Sequence, residues 1–260
     1  MLSKLLKYDL KWIYKVVAVF YAMAFIFSII SRIFLSFDSV IFNIVYQICS
    51  GFAIAMMISI LINNIMRLWA RFVRNMYGDE SYLTHTLPIE SKTIYLSKFL
   101  SAIISMLTST LVILICLFIC FYSKENIEII KNTLQSVAYI YDSTVIKLLL
   151  TIFIILFLEM LFILMIGYTG IIIGHKSNNN KMIKSIIIGF ALYLLMQGLN
   201  ILILFITSLF SDNIKSLFTN SLNINALKES MNIVIIVYLI YIIIYYFINQ
   251  KELEKGIDVD

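Results

Sequence analysis

Charge is what this sequence has least of. Only 13% of its 260 residues are Asp, Glu, Lys or Arg, while 62% are hydrophobic. A soluble domain carries about twice that charged share, so this composition excludes an ordinary water-exposed globule. Proline occurs once and glycine eight times, which leaves long stretches with nothing to interrupt a helix. Cysteine occurs three times, as Cys49, Cys116 and Cys120. All lie in apolar stretches, which excludes a disulfide framework and suits small core residues. Cys116 and Cys120 have no His or carboxylate close in sequence, so they do not read as a metal site. The two histidines, His85 and His175, stand alone, as solvated loop residues would. The sequence holds no G-x-x-x-x-G-K-[ST] phosphate loop and no polar stretch long enough for a nucleotide-binding domain. Nor does it hold a nucleophile–base constellation, so it does not read as an enzyme.

Long apolar runs take the place of charge. Residues 44–66, 101–122 and 148–174 are the clearest, the last interrupted only by Glu159. About 20 apolar residues in a helix cross the ~30 Å hydrocarbon layer. Lipid offers no partner to open backbone groups, and the short alternating strands of a membrane barrel are missing, so these runs should be helices. The expected fold is an all-α integral membrane protein, a single transmembrane domain over 1–260. Its six spans are placed at 16–37, 44–66, 95–122, 145–173, 184–210 and 232–249. Residues 16–30 read as a first span rather than a cleaved signal.

An even number of spans puts both termini on one side. Fourteen of the 20 basic residues then fall on that side, including Lys4, Lys7, Lys11, Lys15, Arg67, Arg71 and Arg74. The positive-inside rule makes it the cytoplasm, and the membrane a cell membrane. The net charge of +5 is spread along these borders without a recognition motif, which argues against nucleic acid as a partner. Leu2, Leu5, Leu6, Leu10 and Ile13 recur near helical spacing, with Trp12 and Tyr14 at the edge, as in an interfacial helix leading into the bilayer. Residues 123–142 and 211–230 mix polar and apolar side chains, as short surface helices do. The run beginning at Asn225 resembles a capped turn.

Between the second and third spans lies a polar island, residues 67–98, with five basic and three acidic residues, Gly78 and the only proline, Pro88. Arg67, Arg71 and Arg74 share one face of a helix leaving the membrane. Gly78 and Asp79 form a break. Residues 80–87 suit a short helix or an extended turn that Pro88 ends, and Ser91 is placed to cap the next helix. On these grounds alone the island is equally a plain loop whose arginines obey topology.

Residues 71–89, RFVRNMYGDESYLTHTLPI, resemble a run in the permease subunits of bacterial ABC-2-type transporters, where an FYRNLYGDEGYLTFTLPVS-like signature follows the second of six helices. Ser81 stands where glycine is frequent there, and His85 occupies a variable position. The resemblance implies a permease paired with a second copy or paralogue and with two cytosolic ATPase subunits that bind ATP and Mg. Residues 67–94 would then be the cytosolic coupling region. Gly78 would give the bend, Asp79 and Glu80 polar contacts, Tyr82, Leu83 and Leu87 apolar anchors, and Pro88 the exit into the third span. The N-terminal interfacial helix also has a counterpart in the family.

Within the spans, Glu159 is costly to bury and reads either as a pathway group or as a neutral packing residue. Gln197 and Asn200, three apart, form a second polar patch suited to holding helices together. Gly167, Gly170 and Gly174 permit close backbone approach or a hinge. The short extracellular loops favour export, and spans with so few charges suit a hydrophobic cargo such as an amphipathic or antimicrobial peptide. The alternatives are a proton-coupled secondary transporter using Glu159, or a membrane anchor or signalling scaffold.

Overall fold

The computed structural model describes residues 1–37, 39–140, 143–177, 179–219 and 224–255, without the side chains of residues 85, 124, 125, 127, 130 and 140. The described residues are helical in α1 (Leu2–Leu35), α2 (Val40–Met76), α3 (Ser81–Thr86), α4 (Ser91–Phe121), α5 (Lys124–Ile140), α6 (Val145–His175), α7 (Lys181–Ser208), α8 (Asp212–Lys215) and α9 (Ile224–Glu254), and none forms a strand. Six of these helices, α1, α2, α4, α6, α7 and α9, are long and apolar enough to cross a membrane. They correspond in order to the six expected spans.

Most boundaries lie outside the expected ones. The separate interfacial helix and first span are one uninterrupted helix, α1. Residues 1–50 contain no glycine or proline, so nothing in the chain favours a break at Lys15. At 37 residues, α2 is about 55 Å long and exceeds the hydrocarbon layer by several turns. Residues 123–142 supply α5, and residues 211–230 supply α8 and the first turns of α9. The run from Asn225 lies inside α9 rather than in a separate turn. Ser91 is the first residue of α4, and the capping position falls to Glu90 without a side-chain bond.

The chain forms two compact units, Met1–Ile129 and Ile130–Asp260. In the first, α1, α2 and α4 pack together around Ala24, Ala53, Met57, Ile60, Cys116 and Cys120. Small side chains at such a seam let helices approach closely, which is how helices associate where lipid is as apolar as the core. The two buried cysteines are packing residues here, as expected. On α4 every fourth residue from Ser97 to Ser109 is a buried serine, so one whole stripe of the helix is small. Asn64 of α2 enters this stripe, donating to the Ser105 carbonyl (3.0 Å) and to Ser109 Oγ (2.7 Å) and accepting from Ser105 Oγ (2.6 Å). Tyr21 of α1 meets the same Ser109 at 2.7 Å.

In the second unit α6 packs against both α7 and α9. A Cβ on Gly170 would meet Gly189 Cα at 2.8 Å, and one on Gly174 would meet Ser185 Cα at 2.5 Å. Glycine is therefore required at both positions for α6 and α7 to touch backbone to backbone. Gly167 is half-buried on the same helix. On the other side Phe162 is surrounded by Tyr238, Tyr241 and Tyr245, with ring centroids 5.3, 5.4 and 6.2 Å away. Lower in the same seam Thr169 donates to Asn249 Oδ1 at 2.8 Å.

Candidate functional site

The first unit carries a buried ion cluster in the part of its bundle next to α3. Asp9 of α1 accepts from Arg71 Nε at 2.9 Å, Lys98 Nζ at 2.6 Å and Ser97 Oγ at 3.2 Å. Glu80, in the turn after α2, accepts from Arg71 Nη1 (2.6 Å), Arg74 Nε (2.9 Å) and Asn75 Nδ2 (2.7 Å). Lys98 also donates to Asn75 Oδ1. The side chains of Asp9, Lys98 and Arg71 are only 3%, 6% and 10% exposed. Arg71 is the central group, because its two nitrogens hold carboxylates from α1 and from the α3 turn together. Its planar fork suits this double role better than a lysine would. Trp12 lies against the cluster, with Arg67 Cζ 4.6 Å and Arg71 Cζ 5.5 Å from its ring centre.

Depth explains why so much charge is tolerated. Asp9 and Arg32 are separated by about 35 Å of helix, roughly the hydrocarbon thickness plus part of an interface. Arg32 reaches the Tyr122 carbonyl and ring. That separation is large enough for the cluster and Arg32 to stand at opposite borders of an apolar layer, with the cluster away from its centre.

The cluster fixes α3. Gly78 lies against the last turn of α2, where a Cβ would come 3.1 Å from Arg74 Cα. The chain then turns back through Glu80 N–H to the Arg74 carbonyl (3.3 Å) and Ser81 N–H to the Gly78 carbonyl (2.8 Å). Leu87 is extended, as a residue before proline prefers, so α3 stops at Thr86 ahead of Pro88. Within α3 the usual pattern is inverted. Ser81 and Thr84 are buried, whereas Tyr82 and Leu83 are 73% and 67% exposed and Leu87 is 42% exposed. A short helix with its polar side in and its apolar side out has a surface suited to a partner.

No family model, curated protein or solved structure matches this chain.

Of the residues singled out in the island, Tyr82, Leu83, Leu87, Asp79 and Pro88 are exposed and gathered around α3. Glu80 is half-buried and engaged by α2. The His85 side chain lies outside the described residues. His175 is not a loop residue; it closes the last turn of α6, with Nδ1 2.8 Å from the Ile171 carbonyl and 3.3 Å from Ser185 Oγ.

The intramembrane candidates belong to the second unit and form a different group. Glu159 is half-buried on α6. Asn200 Nδ2 donates to Gln197 Oε1 at 3.3 Å. Gln197 also lies beside Tyr238, which is within electrostatic reach of Glu159 and Tyr193. The Tyr241 hydroxyl and Asn200 Oδ1 are buried with no hydrogen-bond partner among the described residues.

Asp9, Asn75, Ser97 and Lys98 were not visible as a site in the sequence. One signal was present: Asp9 falls on the apolar stripe of α1, four residues after Leu5 and four before Ile13. A carboxylate on a buried stripe needs a cationic partner.

Proposed function

We propose that this chain is the membrane permease subunit of an ATP-driven exporter of ABC-2 type, moving an amphipathic or antimicrobial peptide or another hydrophobic cargo. ATP and Mg would be bound by two cytosolic ATPase subunits, and a second copy or paralogue of the permease would complete the membrane part. The observation that carries this reading is α3, with Tyr82, Leu83 and Leu87 turned outward beside a rigid ionic anchor. A partner gripping these side chains would move Glu80, and through Arg71 the ends of α1 and α2. Coupling of this kind needs a contact that differs between nucleotide states and a stiff link to the membrane helices. The 71–89 resemblance and the excess of basic residues at this border support the same assignment, with both termini cytoplasmic.

Affinity purification of the chain with its native neighbours in mild detergent tests the reading. An ATPase is expected with the wild type and not with a folded Leu83→Asp, Leu87→Asp variant. Truncating one such anchor should weaken the contact by ~1–3 kcal/mol. Intact, monodisperse wild-type protein that brings down no ATPase would refute the assignment.

Glu159, Gln197 and Tyr238 favour a second reading, proton-coupled transport. It requires cargo movement to follow an imposed pH gradient without ATP and to fail in Glu159→Gln.

A further inference from the structure

Between the first turns of α1 and the α3–α4 segment lies a groove of about 630 Å³. Lys11, Lys15, Arg71 and Lys98 line it against only two carboxylates, Asp9 and Glu80. Both carboxylates are already saturated by Arg71, Arg74 and Lys98. Lys11 and Lys15, one turn apart on the rim and exposed, have no ion-pair partner among the described residues. The groove therefore presents uncompensated positive charge beside an apolar wall that includes Trp12, Leu87 and Ile94.

Its depth identifies the source of an anion that would suit it. Lys15 is about 26 Å along α1 from Arg32, so it stands at the edge of the hydrocarbon layer opposite Arg32. Lys11 and Trp12 lie one turn further out, at headgroup level. Phosphate is held at high local concentration there, attached to acyl chains that can lie against the apolar wall. We propose that this groove is a binding site for the phosphate of an anionic lipid, with Lys11 and Lys15 as its ligands. The site adjoins α3 but does not depend on the transport reading, because only the border depth, the free lysines and the cavity enter the argument.

Native mass spectrometry of the full chain in mild detergent, titrated with phosphatidylglycerol or phosphatidylcholine, tests the site. The wild type should retain one phosphatidylglycerol with at least about tenfold preference over phosphatidylcholine. A basic residue near a membrane surface contributes about fivefold in affinity. Lys11→Gln, Lys15→Gln should therefore lose about 25-fold, and Lys11→Glu, Lys15→Glu more. Lys4→Glu, Lys7→Glu changes the same helix by the same charge but lies outside the groove, and should keep the preference. Equal losses in both pairs would show a diffuse basic field and overturn the site. So would a wild type without lipid preference, or displacement of the lipid by millimolar inorganic phosphate, which would mark a free-phosphate site.

Discussion

Asp9 is held by donors from two other helices, and neither Arg71 nor Lys98 has another carboxylate so deeply buried. Removing one member of a buried ion cluster leaves its partners charged and desolvated, at a cost of about 3–5 kcal/mol. Asp9→Ala should lower the melting temperature in detergent accordingly, whereas Asp79→Ala, at an exposed position of the turn, should change it little. Combining Asp9→Leu with Lys98→Met should recover ~1 kcal/mol or more of the summed single-variant losses, since the two side chains are in direct contact. Strict additivity would mean that the pair is not coupled. The sequence displayed Arg67, Arg71 and Arg74 as one helical face, but not that Arg71 alone turns inward. That inward turn depends on Asp9, 62 residues away, and no local pattern reports such a distance.

At the scale of the helix, small residues decide which neighbours can touch. Gly170 and Gly174 are in backbone contact with α7, while Gly198 has nothing within 4 Å of an added Cβ. Gly174→Ala should destabilise the second unit by ~1–3 kcal/mol through overpacking. Gly198→Ala should be neutral or stabilise by up to about 1 kcal/mol, because helical glycine carries an entropic cost without a packing role here. Thermal melts of both variants check the contrast, and equal behaviour would show that the close approach of α6 and α7 is not needed. The close-packing role of the glycines was legible in the sequence, since few other residues permit such approach. The serine stripe of α4 was not singled out from the sequence; Asn64 and Tyr21 reaching into it reveal it as a seam.

For the whole molecule, the orientation proposed from charge places residues near the N-terminus in the cytoplasm and α5 outside. In a background lacking the three native cysteines, Ser136→Cys in α5 should react with an impermeant thiol reagent on intact cells. Ser3→Cys should react only after permeabilisation. The reverse pattern would invert the topology and remove α3 from any cytosolic ATPase. Both positions are exposed, so protection by protein packing does not confuse the result.

Six apolar stretches, their order and their helical character follow from the sequence alone, because runs with so little charge and a chain with one proline have few other ways to satisfy the backbone in lipid. The break at Gly78 and the stop before Pro88 are likewise local, set by sterics within a few residues. Tertiary structure alone decided that Asp9 and Lys98 meet Arg71, and that Ser81 and Thr84 turn inward while Tyr82 and Leu83 turn out. A six-residue helix has no preferred side of its own; the fixed position of Glu80 against Arg71 and Arg74 supplies one.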